Sequence, residues 1–193
     1  DEITSHPGGD GRNLRPLDAA RNRLAATVLF TSLGVPMLCE GQEWMRSKHG
    51  IHNTYNRGDS VNALRWDDRK RPIALDTLRY YKGLGKVTLS TGGQSLRWSG
   101  TVPNDYFRWI LPPDGRTLGY MINPDRKYPG IRFVVLLNAG KETRPFDVRF
   151  PVGRWRLIAD GKSVDANGIK GVVMPPSQAG VRHVEVPGLT GYI

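Results

Sequence analysis

Cysteine and long apolar runs are both scarce in this sequence of 193 residues. The single thiol, Cys39, cannot form an internal disulfide bond, and its place at the end of an apolar run predicts a buried, unreactive side chain. The longest apolar stretch, residues 24–38, is interrupted by threonine, serine, glycine and proline, so it cannot form a membrane-spanning helix. We therefore predict no membrane partner. No signal-peptide pattern is visible, and the compartment, cytoplasmic or secreted, stays open.

Motifs for cofactors, metals and nucleophiles are missing as well. The sequence contains no GxGxxG after a strand, no GxxxxGK[ST] and no nucleophile elbow. His49 and His52 are spaced three apart, but no cysteine or third ligand accompanies them, so no zinc site is indicated. We predict neither a cofactor nor a metal ion.

Acidic residues are the minority among the charges, because 18 aspartates and glutamates face 28 lysines and arginines, for a formal net charge of +10. The basic residues are scattered, and the densest cluster, residues 69–71, is flanked by Asp67 and Asp68. No run of five or six like charges occurs. The charge therefore predicts no specific nucleic-acid partner.

The first part of the chain has the pattern of an α/β unit. Pro16 opens a helix whose apolar residues recur at intervals of three and four, and Gly34 and Pro36 end it. The apolar run Val35–Cys39 then predicts a short, buried strand of a parallel sheet. A second helix is predicted from Pro72 to residue 81 or 82, with Gly83 and Gly85 stopping it.

After residue 86 the pattern changes to alternation. The segments 106–111 and 116–122 flank Pro112–Gly115, which predicts a hairpin. Further strands are predicted at 131–138, 145–150, 154–159, 169–174 and 181–186. Short strands at regular spacing are typical of an antiparallel β-sandwich, so the fold class is mainly β, preceded by one α/β element.

Residues 40–71 form a long polar loop between the two halves, and loops of this length inside compact domains are often functional. The loop is rich in amides, aromatics and hydroxyls, which suit the hydroxyls and apolar faces of sugar rings. An alternative is that the asparagine and aspartate side chains only hold the loop together. The loop also holds Glu40, Glu43 and three aspartates, but their spacing fixes no geometry for a pair of catalytic carboxylates.

Two strings, GVPMLCEGQEWMRSK at residues 34–48 and NTYNRGDSVNALRW at residues 53–66, resemble the end of the catalytic barrel of type I pullulanases in glycoside hydrolase family 13, the α-amylase class. The strings FVVLLNA at 133–139 and WRLIADG at 155–161 resemble the β-sandwich that follows that barrel. The resemblance covers nearly the whole chain from about residue 17. Thr54 departs from the family's serine, and Arg65 from its aspartate.

This resemblance implies a domain division and a function. Residues 1–85 would be the end of a truncated (β/α)₈ barrel with its substrate-side loop, and residues 86–193 the C-terminal β-sandwich. The longer enzyme would hydrolyse α-1,6-glucosidic branches of starch or glycogen with retention. No segment matches the family's catalytic motifs, so the chain would hold no catalytic residue and be inactive alone.

Five loop residues take roles from the resemblance. Glu43 would be the buried glutamate that orders the loop, while Asn53, Tyr55, Asn56 and Asp59 would line or brace the sugar subsites. The implied partners are an α-glucan and the missing barrel portion. Without that portion, the first helix and the strand Val35–Cys39 should expose apolar surface, or become disordered, rearranged or buried in a dimer.

Three other interpretations stay open. The chain could be a non-catalytic carbohydrate-binding module that uses sandwich aromatics such as Trp98 or Trp109. The sandwich could instead cap a barrel without touching sugar. The net charge could support weak, salt-dependent binding to nucleic acid.

Overall fold

The computed structural model describes residues 15–51, 53–169, 171, 173–177 and 180–193. Helix α1 spans Pro16–Thr31, the one-turn helix α2 spans Asp59–Asn62, and α3 spans Pro72–Leu89. Both long helices begin with a proline at their first turn, where its fixed φ and missing N–H cost nothing. Three 3₁₀ turns lie at Gln42–Trp44, Trp66–Lys70 and Gly92–Leu96.

The described residues after the helices form eight strands in three antiparallel sheets. The strands are β1 (Phe107–Ile110), β2 (Thr117–Ile122), β3 (Phe133–Asn138), β4 (Arg144–Phe150), β5 (Gly153–Arg156), β6 (Val173–Ser177), β7 (Gly180–Val186) and β8 (Thr190–Tyr192). The largest sheet has the order β1-β2-β3-β8, while β4 pairs with β7 and β5 with β6. The predicted mainly-β class with antiparallel sheets and the hairpin at residues 106–122 are therefore confirmed.

The four-stranded sheet is covered on both faces. Phe133, Val135 and Leu137 of β3 pack in one core cluster with Leu24 of α1 and Leu84 of α3. The alternate β3 residues pack in a second cluster with β4 and β7. Strand β3 is buried along its whole length because it lies between two layers, helices on one side and the β4–β7 pair on the other.

Helix α1 is well packed on the sheet, which contradicts the expectation that it would lack a partner. Hydrogen bonds add to the apolar packing of Leu24 and Ala26. The Thr31 hydroxyl lies 2.6 Å from the Tyr120 hydroxyl of β2, and the Thr27 hydroxyl lies 2.7 Å from that of Tyr80 in α3. The Arg23 Nε donates to the carbonyl of Gly161 at 2.7 Å. These bonds join α1 to α3, the sheet and a sandwich turn.

The predicted strand Val35–Cys39 is wrong, because the structure assigns no regular structure to these residues. Val35 is 89% exposed and Met37 84% exposed. Cys39 is exposed too, so the predicted buried thiol is also wrong. A parallel strand needs neighbouring strands for its backbone groups, and the described part of the chain provides none beside this segment.

The predicted stop of the second helix at Gly83 and Gly85 is also wrong, since α3 continues to Leu89. Gly83 is buried where another segment approaches, and a Cβ there would lie 2.6 Å from Val164 Cβ and 2.9 Å from the Val164 carbonyl oxygen. The glycine thus provides room for contact and does not end the helix. The domain boundary expected after residue 85 falls inside α3.

The remaining differences are smaller. Strand β6 begins later than predicted, and β8, which forms an edge of the large sheet, was not predicted. Within the described ranges, neither long helix is apolar enough to cross a membrane.

The two helical glycines give a matched pair for testing this packing. We expect Gly85→Ala to stabilise the chain by about 0.5–1 kcal/mol, because a Cβ there meets nothing within 4 Å and alanine favours the helix. Gly83→Ala should destabilise the chain, since its Cβ meets Val164. Urea unfolding measures both, and equal effects would contradict the close approach of residue 164.

The Thr31–Tyr120 contact can be tested because removal of either hydroxyl should reduce the stability by a different amount. Thr31 also donates to the Thr27 carbonyl at 2.7 Å, so its hydroxyl keeps a partner in Tyr120→Phe. Thr31→Val leaves the buried Tyr120 hydroxyl without this partner and should cost about 1–3 kcal/mol, more than Tyr120→Phe. The double variant should lose less than the sum in urea unfolding. Additive losses would show that the hydroxyls do not interact.

Candidate functional site

A buried tyrosine hydroxyl of α3 attaches the beginning of the loop of residues 40–71 to both long helices. Tyr81 of α3 donates to Asn22 Oδ1 of α1 at 2.8 Å and accepts from Gln42 Nε2 at 3.1 Å. Asn22 Nδ2 in turn donates to the Gln42 carbonyl at 3.2 Å. Burial is the main cause that raises the pKa of Tyr81 to about 12, and the charge of Glu43 adds to it. The hydroxyl therefore remains protonated, and the beginning of the loop is fixed against both helices.

Arg46 and Asn62 hold the rest of the loop from within. The Arg46 guanidinium donates to the carbonyls of Glu40, at 3.3 Å, and of Asn62. Asn62 Nδ2 donates to the carbonyls of Thr54 at 2.7 Å and of Arg57 at 2.5 Å. The interpretation in which the loop's own asparagine and aspartate side chains hold it together is correct for Asn62. Sequence reasoning gave Arg46 no role, although it lies in the quoted motif.

Thr54 lies on the inner side of the turn that carries the residues predicted to contact sugar. It is buried, and its hydroxyl accepts from Lys48 Nζ at 2.7 Å. The flanking Asn53, Tyr55 and Asn56 are all exposed, Tyr55 to 84%. The anchored residue and its exposed neighbours together give a braced turn with free polar and aromatic side chains.

Asp59 is exposed at the first position of α2, close in sequence to this turn. The loop therefore brings four of the five predicted residues to the surface on one short segment, 53–59. In the part of the chain that the structure describes, none of these four side chains is committed to a hydrogen bond. Amides that donate and accept, a phenol ring and a carboxylate can together contact a polyhydroxylated ligand.

Glu43, the fifth predicted residue, is half-buried in the 3₁₀ turn Gln42–Trp44. Within the described ranges its carboxylate makes no hydrogen bond. The bonds that order the loop come from Arg46 and Asn62 instead.

Aromatic rings form a second feature of the loop. Trp44 is buried, Trp66 is 54% exposed, and their ring centroids lie 5.4 Å apart. The Arg69 guanidinium lies over the Trp66 ring at 5.6 Å. The two rings are tilted by 39°, and the Trp66 indole stays partly open to solvent.

Metal binding and paired-carboxylate chemistry find no support in the described residues. No group of three potential metal ligands occurs among them, and His52, one of the two histidines considered, lies outside them. Asp67 forms an ion pair with Lys70 at 2.7 Å, which lowers the Asp67 pKa, and Asp68 forms one with Arg71. These aspartates are therefore used in local ion pairs.

Proteins similar to this chain include a pullulanase and a glycogen debranching enzyme. No family model matches the chain. A pullulanase of Bacillus subtilis (strain 168) is 45% identical over 51 residues, which are 26% of this chain and 7% of that protein. A glycogen debranching enzyme of Dickeya chrysanthemi is 26% identical over 172 residues, 82% of this chain and 24% of that enzyme. The chain thus spans less than a quarter of either relative.

The fold is shared with a solved pullulanase. The structure of type I pullulanase from Bacillus subtilis str. 168, complexed with maltose, matches 94% of this chain and 24% of that chain with a TM-score of 0.65 and 20% sequence identity. The chain is therefore homologous to debranching glycosidases over most of its length, and the resemblance to pullulanases that the sequence indicated is confirmed.

Proposed function

We propose that this chain is the C-terminal part of an α-glucan debranching hydrolase of the pullulanase kind, and that its loop contacts the glucan. The observation that carries the proposal is the braced turn of residues 53–59. Asn53, Tyr55, Asn56 and Asp59 stand exposed on it, while Thr54 and Asn62 hold it from within. A surface kept rigid with free side chains is what a binding site needs, because little freedom is lost when the ligand binds.

The chemistry of the exposed side chains fits a neutral sugar. The Tyr55 ring can cover the apolar face of a glucose unit, and the two asparagines can donate to and accept from its hydroxyls. The similar Bacillus subtilis pullulanase was solved as a complex with maltose, an α-linked glucose disaccharide. An α-glucan is therefore the ligand that we assign to the loop.

The reaction assigned to the longer enzyme is retaining hydrolysis of α-1,6-glucosidic bonds through a glycosyl-enzyme intermediate, which needs two carboxyl groups about 5–5.5 Å apart. We assign no catalytic carboxylate to this chain. Asp67 and Asp68 are bound in local ion pairs, and Asp59 stands alone at the surface. The chain would position the substrate while other parts of the enzyme cleave it.

The segment after α1 supports the proposal that this chain belongs to a longer enzyme. Val35 and Met37 are exposed on a stretch of apolar residues that has the composition of a buried strand. We infer that this stretch, with α1 and α3, completes a barrel in the longer protein. Burial of the Val35 and Met37 side chains would stabilise the packing of this segment in that barrel by a few kcal/mol, at about 1.5–3 kcal/mol for each.

Loop variants test the binding role. In calorimetric titration with maltotetraose, we expect Tyr55→Ala to weaken binding about tenfold and Asn56→Ala about fivefold, through lost ring and hydrogen-bond contacts. Asn167→Ala, an exposed asparagine of a sandwich turn, is the matched control and should bind like the unsubstituted chain. Asn62→Ala should also weaken binding, because it releases the turn. Unchanged affinity in all the loop variants would refute this role.

Hydrolysis by the purified 193-residue chain tests the catalytic assignment. We expect no release of reducing ends from pullulan above the buffer blank, because the chain lacks an assigned nucleophile and proton donor. Reducing-end assays over hours at micromolar protein measure this. Activity that stays proportional to the amount of chain through successive columns and falls in Tyr55→Ala would contradict the assignment.

A further inference from the structure

A small cavity of about 10 Å³ lies within the loop of residues 40–71, and all the residues that line it belong to that loop. This is about the smallest volume that holds one water-sized particle. The lining includes the arginines Arg46, Arg65 and Arg71 but a single acid, Asp68. Positive charge of the loop therefore converges on a space for one small particle.

Arg46 brings an unpaired donor to this part of the loop. Its two terminal nitrogens donate to the carbonyls of Glu40 and Asn62, but its Nε is buried and makes no hydrogen bond. A buried N–H of a charged group is costly without an acceptor, and such groups in folded proteins mark the place of a bound water molecule or ion. The Arg46 Nε therefore indicates an acceptor that the chain does not itself supply.

The charges around the cavity favour an anion over a water molecule. Asp68 is already paired with Arg71. Arg65 Nη2 lies 3.3 Å from His49 Nε2, and because a guanidinium can only donate, this imidazole nitrogen is the unprotonated one. In the part of the chain that the structure describes, neither Arg46 nor Arg65 forms an ion pair. Two like charges at one cavity repel each other, and an anion beside them removes that repulsion.

The sequence explains why a carboxylate is missing at this place. Position 65 is one of the two departures from the pullulanase motif, because the family has an aspartate there and this chain has Arg65. Arg65 and Arg46 line the same cavity, so an aspartate at position 65 would place a carboxylate beside it. The arginine instead adds a second positive charge. An anion taken from solution would supply the negative charge that the aspartate otherwise brings.

We propose that this cavity binds a monatomic anion such as chloride, which accepts a hydrogen bond from Arg46 Nε and is held by the charge of Arg65. The volume excludes larger oxyanions such as sulfate or phosphate. Arg65 and Ala63 are exposed at the cavity, so it can widen for an ion slightly larger than water.

Ser47 can provide a further donor to this ion. Its oxygen accepts from the His49 backbone N–H at 3.0 Å, which leaves the hydroxyl proton free to donate. The bound anion would join residues 46–49 to residues 63–71, two parts of the loop that are separated by the turn of residues 53–59. We therefore assign the anion a stabilising role in the loop, whether or not the loop contacts a glucan.

Thermal unfolding in different sodium salts tests the site. We expect chloride to raise the Tm of the unsubstituted chain in a saturable manner, compared with gluconate at the same ionic strength. Arg65→Gln should weaken the apparent chloride affinity about tenfold. Arg65→Asp should abolish the chloride dependence, because the new carboxylate takes the place of the anion. Arg69→Asp, which changes the charge equally at an exposed position outside the cavity, is the matched control and should keep the dependence.

A second measurement needs no variant. In crystals soaked in sodium bromide, the anomalous signal should place an ion within hydrogen-bond distance of Arg46 Nε. A water molecule at that position, or equal Tm values in chloride and gluconate, would overturn the proposal. Chloride dependence that survives Arg65→Asp would also overturn it, since the ion would then bind elsewhere. None of these measurements uses a sugar, so their failure is distinct from a failure of the proposed glucan contact.

Discussion

Hydroxyl pairs buried beneath α1 determine how the helices lie on the large sheet. Most helices dock through an apolar stripe, which permits small shifts along the axis. Helix α1 buries Leu24 and Ala26 in this way, but it also docks through Thr27 to Tyr80 and Thr31 to Tyr120, at 2.7 and 2.6 Å. A buried hydroxyl that loses its partner costs about 1–3 kcal/mol, so a shift of one turn would break both pairs at once. The helix therefore has one favoured register on the sheet.

That register also fixes the position of the loop of residues 40–71. The Tyr81 hydroxyl, one residue from Tyr80, joins Asn22 of α1 and Gln42 of the loop. Because Gln42 lies near the start of the loop, a displacement of α1 would also move the turn that Arg46 and Asn62 hold in place. The position of the exposed residues thus depends on hydrogen bonds made in the core, although none of those residues touches the core itself.

Local features of the fold could be predicted from the sequence, and long-range ones could not. The hairpin around Pro112–Gly115 and the apolar strand β3 follow from short patterns. Gly83 permits a contact with a segment about eighty residues away, which no local pattern reveals. In the loop, Asn53 and Asn62 are the same residue type, but Asn62 reaches two carbonyls and Asn53 stays exposed. Which amide braces and which faces outward depends on three-dimensional proximity.

Part of the high net charge also has an explanation in the structure. Several guanidinium groups donate to neutral backbone carbonyls and not to carboxylates; these are Arg23 to Gly161, Arg46 to Glu40 and Asn62, Arg97 to Ser90, Arg132 to Val152 and Arg156 to Asn167. An arginine used in this way fastens two segments but leaves its charge uncompensated. Each arginine used in this way therefore adds a positive charge that no carboxylate offsets at that contact. These five arginines account for part of the excess of +10, and the groups that the loop offers to a sugar are amides, an aromatic ring and a carboxylate.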